Sequence, residues 1–90
     1  MGEYTDSIKY LKNAINILPK YAEAYNNLGS VFKELKDYVK SIPLFEKAIQ
    51  IQPNFIDPYI NLGIVFKELG DFTKAIILFQ TAIKIHPQNI

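Results

Sequence analysis

AEAYNNLGSVFKELKDYVKSIPLFEKAIQIQPNF, residues 22–55, is followed at once by IDPYINLGIVFKELGDFTKAIILFQTAIKIHPQN, residues 56–89. Laid over one another without a gap, the two stretches agree at 18 of 34 positions, so the chain is read as a repeat before anything else. Residues 2–21 extend the pattern backwards. Against residues 36–55 they share Tyr4/Tyr38, Ser7/Ser41, Ile8/Ile42, Ala14/Ala48, Ile15/Ile49, Ile17/Ile51 and Pro19/Pro53. The single domain 1–90 therefore divides into a half unit, 1–21, and two complete units, 22–55 and 56–90.

Inside a unit the apolar spacing is helical. Tyr25, Leu28, Phe32 and Leu35 fall at intervals of three and four, which is one helix face. Tyr38, Ile42, Phe45, Ala48, Ile49 and Ile51 make a second such face, closed by Pro53, which cannot donate the next backbone bond. Between them, Lys36-Asp37 and Gly70-Asp71 make short turns, each aspartate placed to cap the helix that follows. Asp57-Pro58 reads as another start, with aspartate as cap and proline at the first helical position. The spacing predicts an all-α chain of five helices, near 4–18, 22–35, 38–51, 57–69 and 72–85. Pro43, inside the third, predicts a local bend, because it crowds the carbonyl of Val39.

Small residues recur where helices must meet. Gly29 and Gly63 sit within first helices; Ser7, Ser41 and Ala75, then Ala14, Ala48 and Ala82, sit within second ones. A mid-helix glycine costs about 1 kcal/mol against alanine, so its return at the same place implies a close contact that offsets the cost.

These residues resemble the tetratricopeptide repeat family. Its 34-residue helix–turn–helix pattern is matched by Tyr25, Leu28-Gly29, Phe32, Ser41, Phe45, Ala48 and Pro53. Tyr59, Leu62-Gly63, Phe66, Ala75, Phe79, Ala82 and Pro87 match it again. Tyrosine stands in place of the family's tryptophan, and serine twice in place of alanine. The resemblance implies a right-handed superhelical α-solenoid of antiparallel helix pairs. First helices would line a concave groove that holds an extended segment of another protein.

On that arrangement the groove candidates are Asn26, Asn27, Ser30 and Lys33, then Ile60, Asn61, Ile64 and Lys67. Asn27 and Asn61 hold the same place in their units. An amide both donates and accepts, so a ladder of them can pair with any peptide backbone. Asparagine at this place resembles the repeats of O-linked N-acetylglucosamine transferase-like arrays. The alternative is that the two amides bond to neighbouring helices and fix the stack. One family subclass clamps the C-terminal carboxylate of chaperone tails with cationic residues. Here Asn26 and Ser30, then Asp57 and Asn61, occupy those places, so binding of such tails is not expected.

Ten lysines against nine acids, and no arginine, leave a net charge of +1. That balance points to neither nucleic acid nor a membrane surface as partner. No apolar run is long enough to span a bilayer and no leader is visible at Met1-Gly2-Glu3-Tyr4, so a cytoplasmic location is the default expectation. Cysteine is absent, His86 is the one histidine, and no glycine-rich phosphate loop or serine–base pair is seen. No catalytic residue, metal or cofactor is expected, and the chain reads as a non-enzymatic interaction module. Ala75-Ile76-Ile77-Leu78-Phe79 and Ile83 put more apolar surface on the last helix than one neighbour can cover. Two readings compete: the chain is a fragment of a longer array, or it is a structural scaffold that self-associates through Ile76, Ile77, Phe79 and Ile83, as a homo-oligomer or a helix-exchanged dimer. A third reading makes the chain the docking part of an enzyme whose catalytic domain lies elsewhere.

Overall fold

A computed structural model describes residues 2–18 and 20–85, with the side chains of Gly2 and Glu3 excepted. It contains five helices: α1 (Gly2–Ile17), α2 (Ala22–Glu34), α3 (Tyr38–Ile51), α4 (Ile56–Glu68) and α5 (Phe72–Ile85). Pro19 and Pro87, the counterparts of Pro53 in the repeat, lie outside the described residues, as does His86.

Residues 35–37 and 69–71 turn α2 into α3 and α4 into α5, and such short connections make antiparallel neighbours. Each turn closes its helix in the same way. The N–H of Lys36 donates to Lys33 O at 2.9 Å and that of Asp37 to Phe32 O at 2.8 Å. In the second unit, Gly70 donates to Lys67 O at 3.0 Å and Asp71 to Phe66 O at 2.8 Å. This double bond pattern places one residue in the left-handed region. Gly70 takes φ 85° without strain, whereas Lys36 takes φ 63° with a β-carbon in the way.

The aspartates then cap as expected. Asp37 Oδ1 accepts from Lys40 N at 3.3 Å, and Asp71 Oδ1 accepts from Lys74 N at 3.2 Å. The start of α4 differs from expectation. Its N-cap is Phe55, with no side-chain bond, and Asp57 and Pro58 fall inside the first turn. Pro58 is there because its ring is wanted in the interior, where it is among the most completely buried side chains. Pro43 does not end α3, which runs continuously to Ile51. The carbonyl it deprives of a partner belongs to Val39, an 85% exposed residue that water reaches.

α2 lies along α3 and α4 along α5; α1 packs on α2, α3 on α4, and α2 touches α4. The result is an all-α solenoid in which each element leans on sequence neighbours. The core centres on Phe45, Leu62 and Val65, with Tyr38, Ile42, Ile49, Phe66 and Leu78 packed around it. Fully burying a side chain such as Phe45 contributes about 1.5–3 kcal/mol. The small residues do what their recurrence implied. A β-carbon on Gly29 would come within 2.8 Å of Phe45 Cε1, and one on Gly63 within 2.5 Å of Phe79 Cε1. Ser41, Ala48, Ala75 and Ala82 are likewise buried, while Ser7 and Ala14 are half-buried.

Candidate functional site

α2 and α4, the first helices of the two complete units, touch, and one polar network joins them. Asn61 Nδ2 donates to Asn26 Oδ1 at 3.0 Å, and Lys33 Nζ donates to Asn61 Oδ1 at 3.1 Å. Asn26 and Lys33 lie seven residues apart and thus share the edge of α2 that meets α4. No buried side-chain polar atom among the described residues lacks a partner.

The eight groove candidates therefore separate into different situations. Asn26 is not an open groove residue: it is 5% exposed, because its amide is turned against α4. Asn61 is half-buried and bonds to the neighbouring helix, as the stack-fixing alternative required. One of its N–H groups and one lone pair remain unused. Asn27 is exposed and makes no side-chain hydrogen bond among the described residues. Ser30, Lys33 and Ile64 are half-buried, while Ile60 and Lys67 are exposed. Ile60 and Lys67 occupy on α4 the places of Asn26 and Lys33 on α2, one unit on.

Asn27 and Ser30 also border a second feature, a groove of about 360 Å³ between α1 and α2. Its walls are Tyr4, Ser7, Tyr10 and Leu11 on one side and Asn27, Ser30, Val31 and Glu34 on the other. A third groove, about 380 Å³, lies on the outer side among α3, α4 and α5, where Ile49, Leu62, Phe66, Ile77 and Leu78 meet between Glu46 and Lys74. Lys74 sits 5.1 Å from the centre of the Phe66 ring, as Lys40 sits 5.4 Å from that of Phe32. Both lysines also pair with the aspartate three residues back at 3.8 Å, exposed contacts that stabilise little.

The apolar residues of α5 do not form one patch. Phe72, Ile76 and Ile83 share a face and are 61%, 55% and 67% exposed. Ile77 points instead into the outer groove, and Phe79 is half-buried with its ring under Gly63. Val65, wholly buried, escaped the periodic reading, although its counterpart Val31 sits at the same place one unit earlier.

Tyr21, just before α2, donates its hydroxyl to Glu23 Oε1 at 3.2 Å, and that bond to a carboxylate raises the phenol above its ordinary value. The described residues hold no group of three or more His, Cys, Asp or Glu placed for a metal ion. No described helix is long and apolar enough to cross a membrane.

The tetratricopeptide repeat model matches residues 22–55 and 56–89, and a second TPR repeat model matches residues 1–36. No curated protein sequence matches the chain. Among solved structures it is similar to two described as MamA. One superposes with a TM-score of 0.90 at 31% identity, covering 96% of this chain and 50% of that one. The other gives 0.86 at 31% identity, covering 96% and 47%. The chain thus spans about half the length of these MamA chains.

Proposed function

The chain belongs to the tetratricopeptide repeat family, whose modules engage other proteins, and on that premise we propose that α2 and α4 receive an extended peptide across their shared wall. One observation carries this reading: the Asn26–Asn61–Lys33 network joins the two helices yet leaves hydrogen-bonding capacity at the surface. Asn61 keeps an N–H and a lone pair, Lys33 keeps two of its three N–H groups, and Asn27 keeps its whole amide. Asn26 Nδ2 also has no partner and is not enclosed. Exposed Ile60 and half-buried Ile64 add apolar contact for a side chain of the same peptide. A run of fixed donors and acceptors suits a peptide backbone, and two apolar residues beside it give modest side-chain preference.

The test is selection of peptides from a displayed random library on this chain, followed by affinity measurement on the Asn27→Ala/Asn61→Ala variant. Each lost charge-neutral hydrogen bond is worth about 1 kcal/mol, so two should weaken binding by about tenfold or more. Unchanged affinity would mean that the peptide lies elsewhere.

Self-association through α5 is a second reading, favoured by the exposed Phe72, Ile76 and Ile83 face. Light scattering across concentration, with Ile76→Lys/Ile83→Lys as the comparison, separates it from the first. A monomer at every concentration would remove it.

A further inference from the structure

The outer groove among α3, α4 and α5 shares no residue with the α2–α4 wall. Ile49, Leu62, Phe66 and Leu78 line it, and Ile77 faces it while 55% exposed. The two rims carry opposite charge. Glu46, on α3, is exposed and forms no ion pair among the described residues. Lys74, on α5, stands 5.1 Å from the centre of the Phe66 ring, with only an exposed contact to Asp71 at 3.8 Å. One unit earlier the rim places hold two cations, Lys12 and Lys40, and Pro43 stands where Ile77 does. Of the two equivalent places, only the one between α3 and α5 sets an apolar trough between an acid and a base.

Hydrogen bonding decides what can lie there. Apart from the rims, the one polar lining side chain is Tyr59, whose hydroxyl gives its proton to Pro53 O at 2.6 Å. The walls are helices, whose backbone groups bond along their own axes. An extended peptide laid in this trough would bury backbone N–H and C=O groups without partners, which is costly. A helix arrives with its backbone already bonded and presents a stripe of apolar side chains.

We propose that the outer groove docks an amphipathic α-helix of another protein. Aliphatic or aromatic residues at i, i+3 or i+4, and i+7 lie along Ile49, Phe66 and Ile77. A lysine or arginine flanks that stripe on the Glu46 side, and a glutamate or aspartate flanks it on the Lys74 side. The apolar stripe supplies the affinity, and the exposed charges set which flank faces which rim. A second copy of this chain is a poor donor, because α5, with its exposed Phe72, Ile76 and Ile83, contains no acid to meet Lys74. The inference stands apart from peptide binding at the α2–α4 wall, since neither surface uses the other's residues.

The test selects binders to this chain from a displayed library of alanine-rich helices. Each is about 18 residues long, past the length at which isolated helices are marginal. The stripe is drawn from Leu, Ile, Met and Phe, and both flanks from Lys, Glu and Ala. Selected helices should carry lysine on one flank and glutamate on the other. Ile77→Gln, still helical by circular dichroism, should weaken them by about fivefold or more, whereas Ile83→Gln on the other face of α5 should not. Glu46→Lys should weaken them by about threefold, and changing the flanking lysine of the bound helix to glutamate should restore the loss. A library that yields no binder overturns the proposal. So do binders indifferent to Ile77→Gln, or flank charges indifferent to Glu46→Lys. A concentration-dependent dimer of the chain alone that Ile77→Gln abolishes also overturns it, by naming a second copy as the occupant.

Discussion

Replacing Gly29 with alanine sets two effects of known size against each other. In an open helix the change stabilises by about 1 kcal/mol, because alanine is the better helix former. Here the new β-carbon would lie 2.8, 2.9 and 3.1 Å from three atoms of the Phe45 ring. That ring is 0% exposed, wedged against Leu62 and Val65, and has nowhere to turn. α2 must then move off α3, and overpacking of this kind costs about 1–3 kcal/mol. The net expectation is a loss of up to about 2 kcal/mol, read as a lower urea midpoint at unchanged m. Phe45→Leu, which puts there the residue that Leu11 supplies at the same place in the half unit, removes the clash. The double variant should therefore be more stable than the sum of the singles by about 1 kcal/mol or more. Gly63→Ala makes a nearer approach, 2.5 Å to Phe79, but Phe79 is half-buried where Phe45 is fully buried, and its ring can swing aside. It should cost less than Gly29→Ala despite the shorter distance. A Gly29→Ala chain that is more stable than the parent would refute the argument.

Lys36→Gly relieves the left-handed backbone at φ 63° and should stabilise by about 1 kcal/mol, while Gly70→Ala at φ 85° should destabilise comparably; thermal or urea melts check both signs. Asp37→Ala removes the α3 cap and should cost about 1 kcal/mol, and Asp37→Asn, which still caps, should recover most of it. Asn61→Ala leaves the buried Asn26 oxygen without its donor, at about 1–3 kcal/mol; Asn27→Ala, which breaks no bond, should leave stability within about 0.5 kcal/mol. Tyr59→Phe loses the 2.6 Å bond from its hydroxyl to Pro53 O, which ties α4 to the preceding loop, and should cost about 0.5–1.5 kcal/mol by the same melts.

The repeat made the helix pairs legible, because period and small residues report contacts that every unit must make. Gly29 under Phe45 is such a contact. Asp57-Pro58 misled, since a cap motif and a buried proline look alike until one knows that Pro58 faces inward. Asn26 misled for a different reason. Counting it off the apolar face placed it in the groove, but a polar residue can also be buried when a neighbouring helix brings a partner. That partner, Asn61, lies 35 residues away, and no local pattern announces it. The equivalent positions Ile60 and Asn26 differ in chemistry, so the repeat itself gave no warning.

The most direct measurement is nitrogen–proton shift mapping of the chain titrated with a library-selected extended peptide. The account predicts saturable changes at Asn27, Ser30, Lys33, Ile60, Asn61 and Ile64, with the side-chain amides of Asn27 and Asn61 among the largest. Changes gathered instead around Ile49, Ile77 and Leu78 on the outer side would contradict it.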